Sequence, residues 1–183
     1  MSWTEIILIA CGILSVLAWA GTTQVVWWEW GLAPYRIKKY GEWYRLFTSI
    51  FFHADLFHIL INGFVFYSFG SKMELLYGGR SYLLLLLIGV IGSGLATYWR
   101  YQDRTNHLSI GLSGVVNAVL FAFVLHYPKA TLLVWFIPMP AWLFAGLYLL
   151  YSFYEGQREN GFINHWAHIG GALAGMGFAY FIK

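Results

Sequence analysis

Residues 81–99 read SYLLLLLIGVIGSGLATYW, nineteen positions without an acidic or basic side chain, closed by Arg80 and Arg100. A helix that crosses the ~30 Å hydrocarbon core of a bilayer needs about 20 mainly apolar residues. Five more charge-free stretches lie at 6–28, 56–71, 105–128, 130–154 and 160–182, with lengths of 23, 16, 24, 25 and 23. They predict an all-α membrane protein of six transmembrane helices in one domain over residues 1–183. The helices are expected at about 4–23, 54–72, 81–100, 113–127, 131–152 and 165–182. The first stretch lacks the basic start of a signal peptide and reads as a retained helix. The fifth contains Pro138-Met139-Pro140, which breaks regular helix. Two starts stay open for that helix, near 131 with a kink or near 141.

Composition agrees with lipid as the solvent. The 183 residues are 60% hydrophobic, 21% aromatic and 10% charged, with mean hydropathy +0.61. A soluble domain carries about 25% charged residues, so a soluble enzyme, a DNA-binding domain and a disordered linker are excluded. The net charge of +3 is spread thinly, which leaves no stripe for nucleic acid. The single Cys11 excludes a disulfide framework. The one long connection, Gln24 to Ile50, carries Trp27, Trp28, Trp30, Tyr35, Tyr40, Trp43 and Tyr44 among basic residues. An aromatic belt and a loop partly embedded in one leaflet both fit it.

Polar side chains inside a bilayer are expensive and therefore functional candidates. His58 and Asn62 are four residues apart and share a helix face. His53 lies five before His58, about 140° around a helix at 3.6 residues per turn, and is expected to face elsewhere. Ser113 sits in Gly111-Leu112-Ser113-Gly114 at a helix start, where free N–H groups and partial positive charge favour an oxyanion. His168 sits in Ala167-His168-Ile169-Gly170-Gly171, with Gly175 on the same stripe. Glycine stripes let helices pack closely. If the neighbour is the fourth helix, the imidazole can take the serine proton. No acidic residue lies inside any span, so the pair would be a dyad. The residues alone leave three other readings open: tight helix packing at Gly-x-Ser-Gly, a hydrogen-bonded structural histidine, and a metal site from His53, Asp55, His58 and His168. No His-Glu-x-x-His motif occurs, and no span pairs His with a carboxylate on one face.

Taken together, these motifs resemble the rhomboid family of intramembrane serine proteases, in its minimal six-helix bacterial form. The resemblance covers nearly the whole chain and implies a bundle with a long, partly embedded first loop. It implies Ser113 as nucleophile, His168 as general base, and His58 and Asn62 in the oxyanion hole beside the Ser113 N–H. His53, Arg45, Gly111, Gly114, Gly171, Gly175 and Asn117 would support the site. Asn117 departs from the family, which often has an aromatic four after the serine, against the catalytic histidine. Tyr44-Arg45 stands where Trp-Arg is common. No metal or cofactor is implied. The expected partners are lipid and the transmembrane helix of a substrate protein, entering between the second and fifth helices under a lid at 155–164 with Gly156 and Gly161. Oligomeric state stays open. The alternatives are an inactive helix-binding relative and a small transporter.

The resemblance also sets both termini in the cytoplasm of a multi-pass cell-membrane protein. Outer loops would then hold Arg36, Lys38, Lys39, Arg45, Arg100, Arg104 and Arg158, against Lys72, Arg80, Lys129 and Lys183 inside. The positive-inside rule expects the reverse.

Overall fold

The computed structural model describes residues 1–21, 23–134, 136–158 and 163–182. In chain order, α1 is Trp3–Ala20, α2 Thr23–Trp30, α3 Pro34–Tyr40 and α4 Arg45–Thr48, followed by a 3₁₀ turn at Ser49–Phe51. Then come α5 Leu56–Tyr101, α6 Ser113–His126, a hairpin of β1 Thr131–Val134 and β2 Ile137–Pro140, α7 Ala141–Gln157 and α8 His165–Phe181. Among the described residues the protein is all-α apart from that hairpin. By length and composition, α1 and α5 can cross a membrane, while α6 is a shorter apolar helix.

Helix α5 runs 46 residues and breaks at Gly78, where φ is 73° and ψ 161°. Glycine reaches that conformation without a Cβ penalty, so the chain divides into 56–77 and 79–101. The Asp55 side chain accepts from the His58 N–H at 2.8 Å and caps the first part. Ser2 and Glu5 form a reciprocal capping box at α1. Glu74 accepts from the Trp3 and Thr4 amides at 2.7 and 3.0 Å, tying α1 to α5.

The fifth predicted helix, 131–152, is corrected. Its first part holds the paired strands β1 and β2, in which Thr131 faces Pro140 and Leu133 faces Pro138. Proline has no N–H for a helix ladder. The helix therefore begins at Ala141, the later of the two starts, and extends to Gln157. The long connection at 24–50 is not plain loop either, because α2, α3 and α4 occupy most of it.

Helix α6 is apolar on all sides and buried from Gly114 through Val124. Such a helix belongs at the centre of a bundle. It meets α5 and α8 through small residues. A Cβ at Gly89 would stand 2.7 Å from Ala118 Cβ, and one at Gly92 would meet Ala174 Cβ and the Gly170 carbonyl. Cβ atoms at Gly171 and Gly175 would run into the carbonyl oxygens of Gly114 and Ala118. Backbones approach this closely only where side chains are absent. The outer faces carry bare apolar groups, such as Ile13 and Leu17 on α1, Leu60 and Phe64 on α5, and Leu150 and Phe153 on α7.

Candidate functional site

The glycine junction brings α8 against the start of α6. His168 Nε2 lies 2.8 Å from Ser113 Oγ. Ser113 is the first residue of α6, where helical N–H groups have no partner in the preceding turn. Both side chains are partly buried. The other ring nitrogen of His168, Nδ1, is 3.0 Å from the Tyr148 hydroxyl of α7.

Gly111 precedes the serine by two residues and has φ 121°. The His58 ring occupies the space beside it, since a Cβ at Gly111 would stand 2.8 Å from His58 Cε1 and Nε2. The Ala54 N–H points to His58 Nδ1 at 3.4 Å. A neutral His58 then carries its proton on Nε2, the nitrogen nearest the Gly111–Ser113 segment. Asn62 is 6% exposed and donates Nδ2 to the His58 carbonyl at 2.9 Å, which leaves its second amide hydrogen.

His53 does not face away from His58. Their rings stand edge to face at 5.0 Å. The helical-wheel expectation fails because α5 starts only at Leu56, so His53 precedes the helix. Its Nε2 accepts from the Leu112 N–H at 3.3 Å, next to Ser113, and its Nδ1 lies 3.2 Å from Ser15 Oγ. The backbone donor at Nε2 puts the proton on Nδ1, which donates to Ser15.

Arg45 is wholly buried. Its Nη1 donates to the carbonyls of Trp28 and Gly31 at 2.9 and 2.8 Å, and its Nε to Glu42 at 2.5 Å. Arg36 grips the same carboxylate through Nε and Nη2, each at 2.7 Å. The Arg36 bonds, with Arg45 adding to them against partial burial, hold the Glu42 carboxyl down at about 2. The segment so braced reaches the serine through backbone bonds. Leu32 and Ser109 exchange N–H···O bonds of 2.8 and 3.0 Å, and the Gly111 N–H donates to Ser49 O at 3.0 Å.

Two site residues escape a reading of spacing alone. Asn164 caps α8 through Ala167 at 3.0 Å and donates Nδ2 to Thr97 and Ser109, both at 2.9 Å. An Asn just before a helix start is a capping signal that could have found it. Tyr148 sits among several aromatics of α7, and nothing in its spacing marks it. A cavity of about 40 Å³ beside Ser113 is lined by Ser49, Ser93, Ser109 and Asn164 among others. Asn117 donates Nδ2 to Ser113 O at 2.8 Å, so it braces the turn that carries the serine. The expected lid at 155–164 falls partly outside the described residues, because 159–162, with Gly161, are not among them. Gly156 accepts from Trp166 Nε1 at 2.8 Å.

An apolar-surfaced helical bundle with a serine–histidine contact in its small-residue junction defines an all-α membrane protein. Comparison with known proteins narrows the class. Residues 40–183 match the Rhomboid domain family. The chain is 34% identical over 153 residues to "RHOMBOID-like protein 12, mitochondrial" of Arabidopsis thaliana, covering 73% of this chain and 45% of that protein. It is 28% identical over 182 residues to "Rhomboid protease GlpG" of Salmonella paratyphi A, covering 97% and 62%. It is 25% identical over 140 residues to "Rhomboid protein 1, mitochondrial" of Saccharomyces cerevisiae, covering 74% and 40%. The chain belongs to the rhomboid family. It spans between 40% and 62% of the length of these three relatives.

Proposed function

We propose that the protein is an intramembrane serine endopeptidase that cleaves transmembrane segments of other membrane proteins with a Ser113–His168 dyad. The observation that carries this reading is the 2.8 Å contact between Ser113 Oγ and His168 Nε2. As Oγ attacks the scissile carbonyl, Nε2 takes its proton and then delivers it to the leaving amine. The oxyanion forms at the start of α6. There the Ser113 N–H, His58 Nε2–H and the free Asn62 amide hydrogen are the donors, helped by the helix dipole. Water then frees the acyl group from Ser113. The small cavity beside the serine, lined by hydroxyls and Asn164 among aliphatic side chains, is roomy enough for about three waters, at roughly 10–15 Å³ each.

In this reading the chain crosses the membrane six times, through α1, both parts of α5, α6, α7 and α8, and both termini are cytoplasmic. The exposed rings of Trp28, Trp30, Trp43 and Tyr44 set the segment before α5 at the lipid–water boundary. Substrate enters between the first part of α5 and α7, which expose Phe57, Leu60 and Phe64, and Leu147 and Leu150, respectively. Substrate helices with weak helix formers near the cleaved bond are preferred, because a regular helix hides its peptide bonds.

The test is incubation with a single-span model substrate in liposomes, wild type against Ser113→Ala. Cleavage and fluorophosphonate labelling by wild type alone support the proposal. Equal cleavage by both proteins overturns it. Cysteine labelling from each side at positions 104 and 129 decides the orientation, which the distribution of Lys and Arg opposes.

A further inference from the structure

We propose that Tyr148 is the positioning residue of this site: its phenolic oxygen accepts the Nδ1–H of His168 and so keeps Nε2 unprotonated and aimed at Ser113. The inference rests on the Ser113–His168 reading and adds to it the group that orients the imidazole.

The imidazole is held at both nitrogens by side chains of two other helices. Ser113 of α6 lies 2.8 Å from Nε2, and Tyr148 of α7 lies 3.0 Å from Nδ1. A neutral imidazole carries one proton. If Nε2 is to take a proton from a hydroxyl, that one proton must sit on Nδ1, and the group facing Nδ1 must accept it. Among the described residues no carboxylate bonds to His168. Tyrosine can fill the role only if its own hydrogen points elsewhere.

Two acceptors stand ready for that hydrogen. Asn117 and Ser152 both neighbour the Tyr148 hydroxyl. Asn117 Oδ1 and Ser152 Oγ are buried, and neither has a hydrogen-bond partner among the described residues. An unmet buried acceptor is costly, so in this proposal a small turn of the hydroxyl gives its hydrogen to one of them. Asn117 meanwhile spends its Nδ2 on Ser113 O at 2.8 Å, which leaves Oδ1 as its accepting atom. Hydrogen bonds run from Ser113 Oγ through His168 to Tyr148, and from Asn117 to the Ser113 carbonyl, with Tyr148 and Asn117 as neighbours between the two. Around them the packing is apolar: Phe121 and Phe144 lie 5.8 and 5.4 Å from the Tyr148 ring. Tyr148 also lies nearly parallel to the imidazole, at 6.4 Å and 22°.

The test uses the full chain in detergent with ¹⁵N-labelled histidine, His168 being assigned by its loss in His168→Gln. Wild type is expected to carry the proton on Nδ1 and a bare Nε2. Tyr148→Phe keeps the ring and removes the acceptor. It should mix the two tautomers and lower kcat on the order of 10–10²-fold with KM unchanged, less than the ~10⁴-fold cost of losing a charged orienting carboxylate. A wild-type spectrum with the proton on Nε2, or a Tyr148→Phe protein with unaltered spectrum and kcat, overturns the proposal. Should Tyr148→Phe fail to fold, the wild-type spectrum still decides. If Ser113→Ala cleaves as well as wild type, the protease reading falls, yet the tautomer signal still reports what Tyr148 does.

Discussion

A single hydrogen atom is all that Gly171 presents to the carbonyl oxygen of Gly114. Any Cβ at 171 would overlap that oxygen, and a backbone carbonyl inside a buried helix cannot step aside. This contact sets the distance between α8 and α6, and with it the span from His168 to Ser113. Gly171→Ala is expected to destabilise the bundle by about 1–3 kcal/mol, as overpacking does. Activity should fall further than stability, because a misplacement of ~1 Å costs about 10²-fold. Thermal unfolding in detergent and single-turnover cleavage measure the two effects.

Ser113→Ala and His168→Ala should each remove activity by on the order of 10³-fold or more with the bundle still folded. The double variant should lose little beyond either single one, because the hydroxyl and imidazole act as a unit. Additive losses would mean that the two groups work separately. Cleavage rates for the four proteins complete the cycle.

His58 fills the space that a side chain at 111 would need, and the Gly111 φ of 121° is one that other residues rarely adopt. Gly111→Ala is therefore strained by about 1–3 kcal/mol and also displaces the His58 ring. It should lower kcat by about as much as losing one oxyanion donor, roughly 10²–10³-fold. Asn62→Ala should be milder, about 10–10²-fold. A Gly111→Ala protein with full activity would remove His58 from the oxyanion site.

Glu42 contributes to the fold only while it is ionised. Its carboxyl is held down at about 2, chiefly by its bonds to Arg36, while an unfolded chain titrates near 4.3. The stabilisation is complete above the unfolded value and disappears as pH falls toward 2. Glu42→Gln should cost about 1–3 kcal/mol at neutral pH, since buried Arg45 loses an ionic partner. The gap to wild type should close between about pH 4.5 and 2. Unfolding midpoints across that range, at one detergent concentration, test it.

The helical character was legible because lipid imposes a crude, long-range rule on composition, and residues 81–99 obey it openly. Gly171 and Gly175 also announced a close contact at a four-residue interval. What stayed hidden depends on meetings between distant segments. Pro138 and Pro140 declare that a helix cannot run through them, but not that residues 131–140 double back as a hairpin. His53 defeats a helical wheel because the helix stops at the Asp55 cap. Tyr148 was invisible because Tyr151 and Tyr154 on the same helix look alike in sequence. Only the packing of α7 on α8 decides which of the three hydroxyls meets the imidazole. Asn117 shows the converse: its departure from the family pattern was visible, whereas its bond to the Ser113 carbonyl was not.

The pairing of Leu32 with Ser109, together with the bond from Gly111 to Ser49, means that the segment before α5 and the approach to Ser113 are stitched as one cloth. Softening of that border by heat, or a nick in it by a soluble protease, reaches the nucleophile before any helix has left its neighbours. The proposed cleavage should cease at a temperature below the one at which the bundle comes apart.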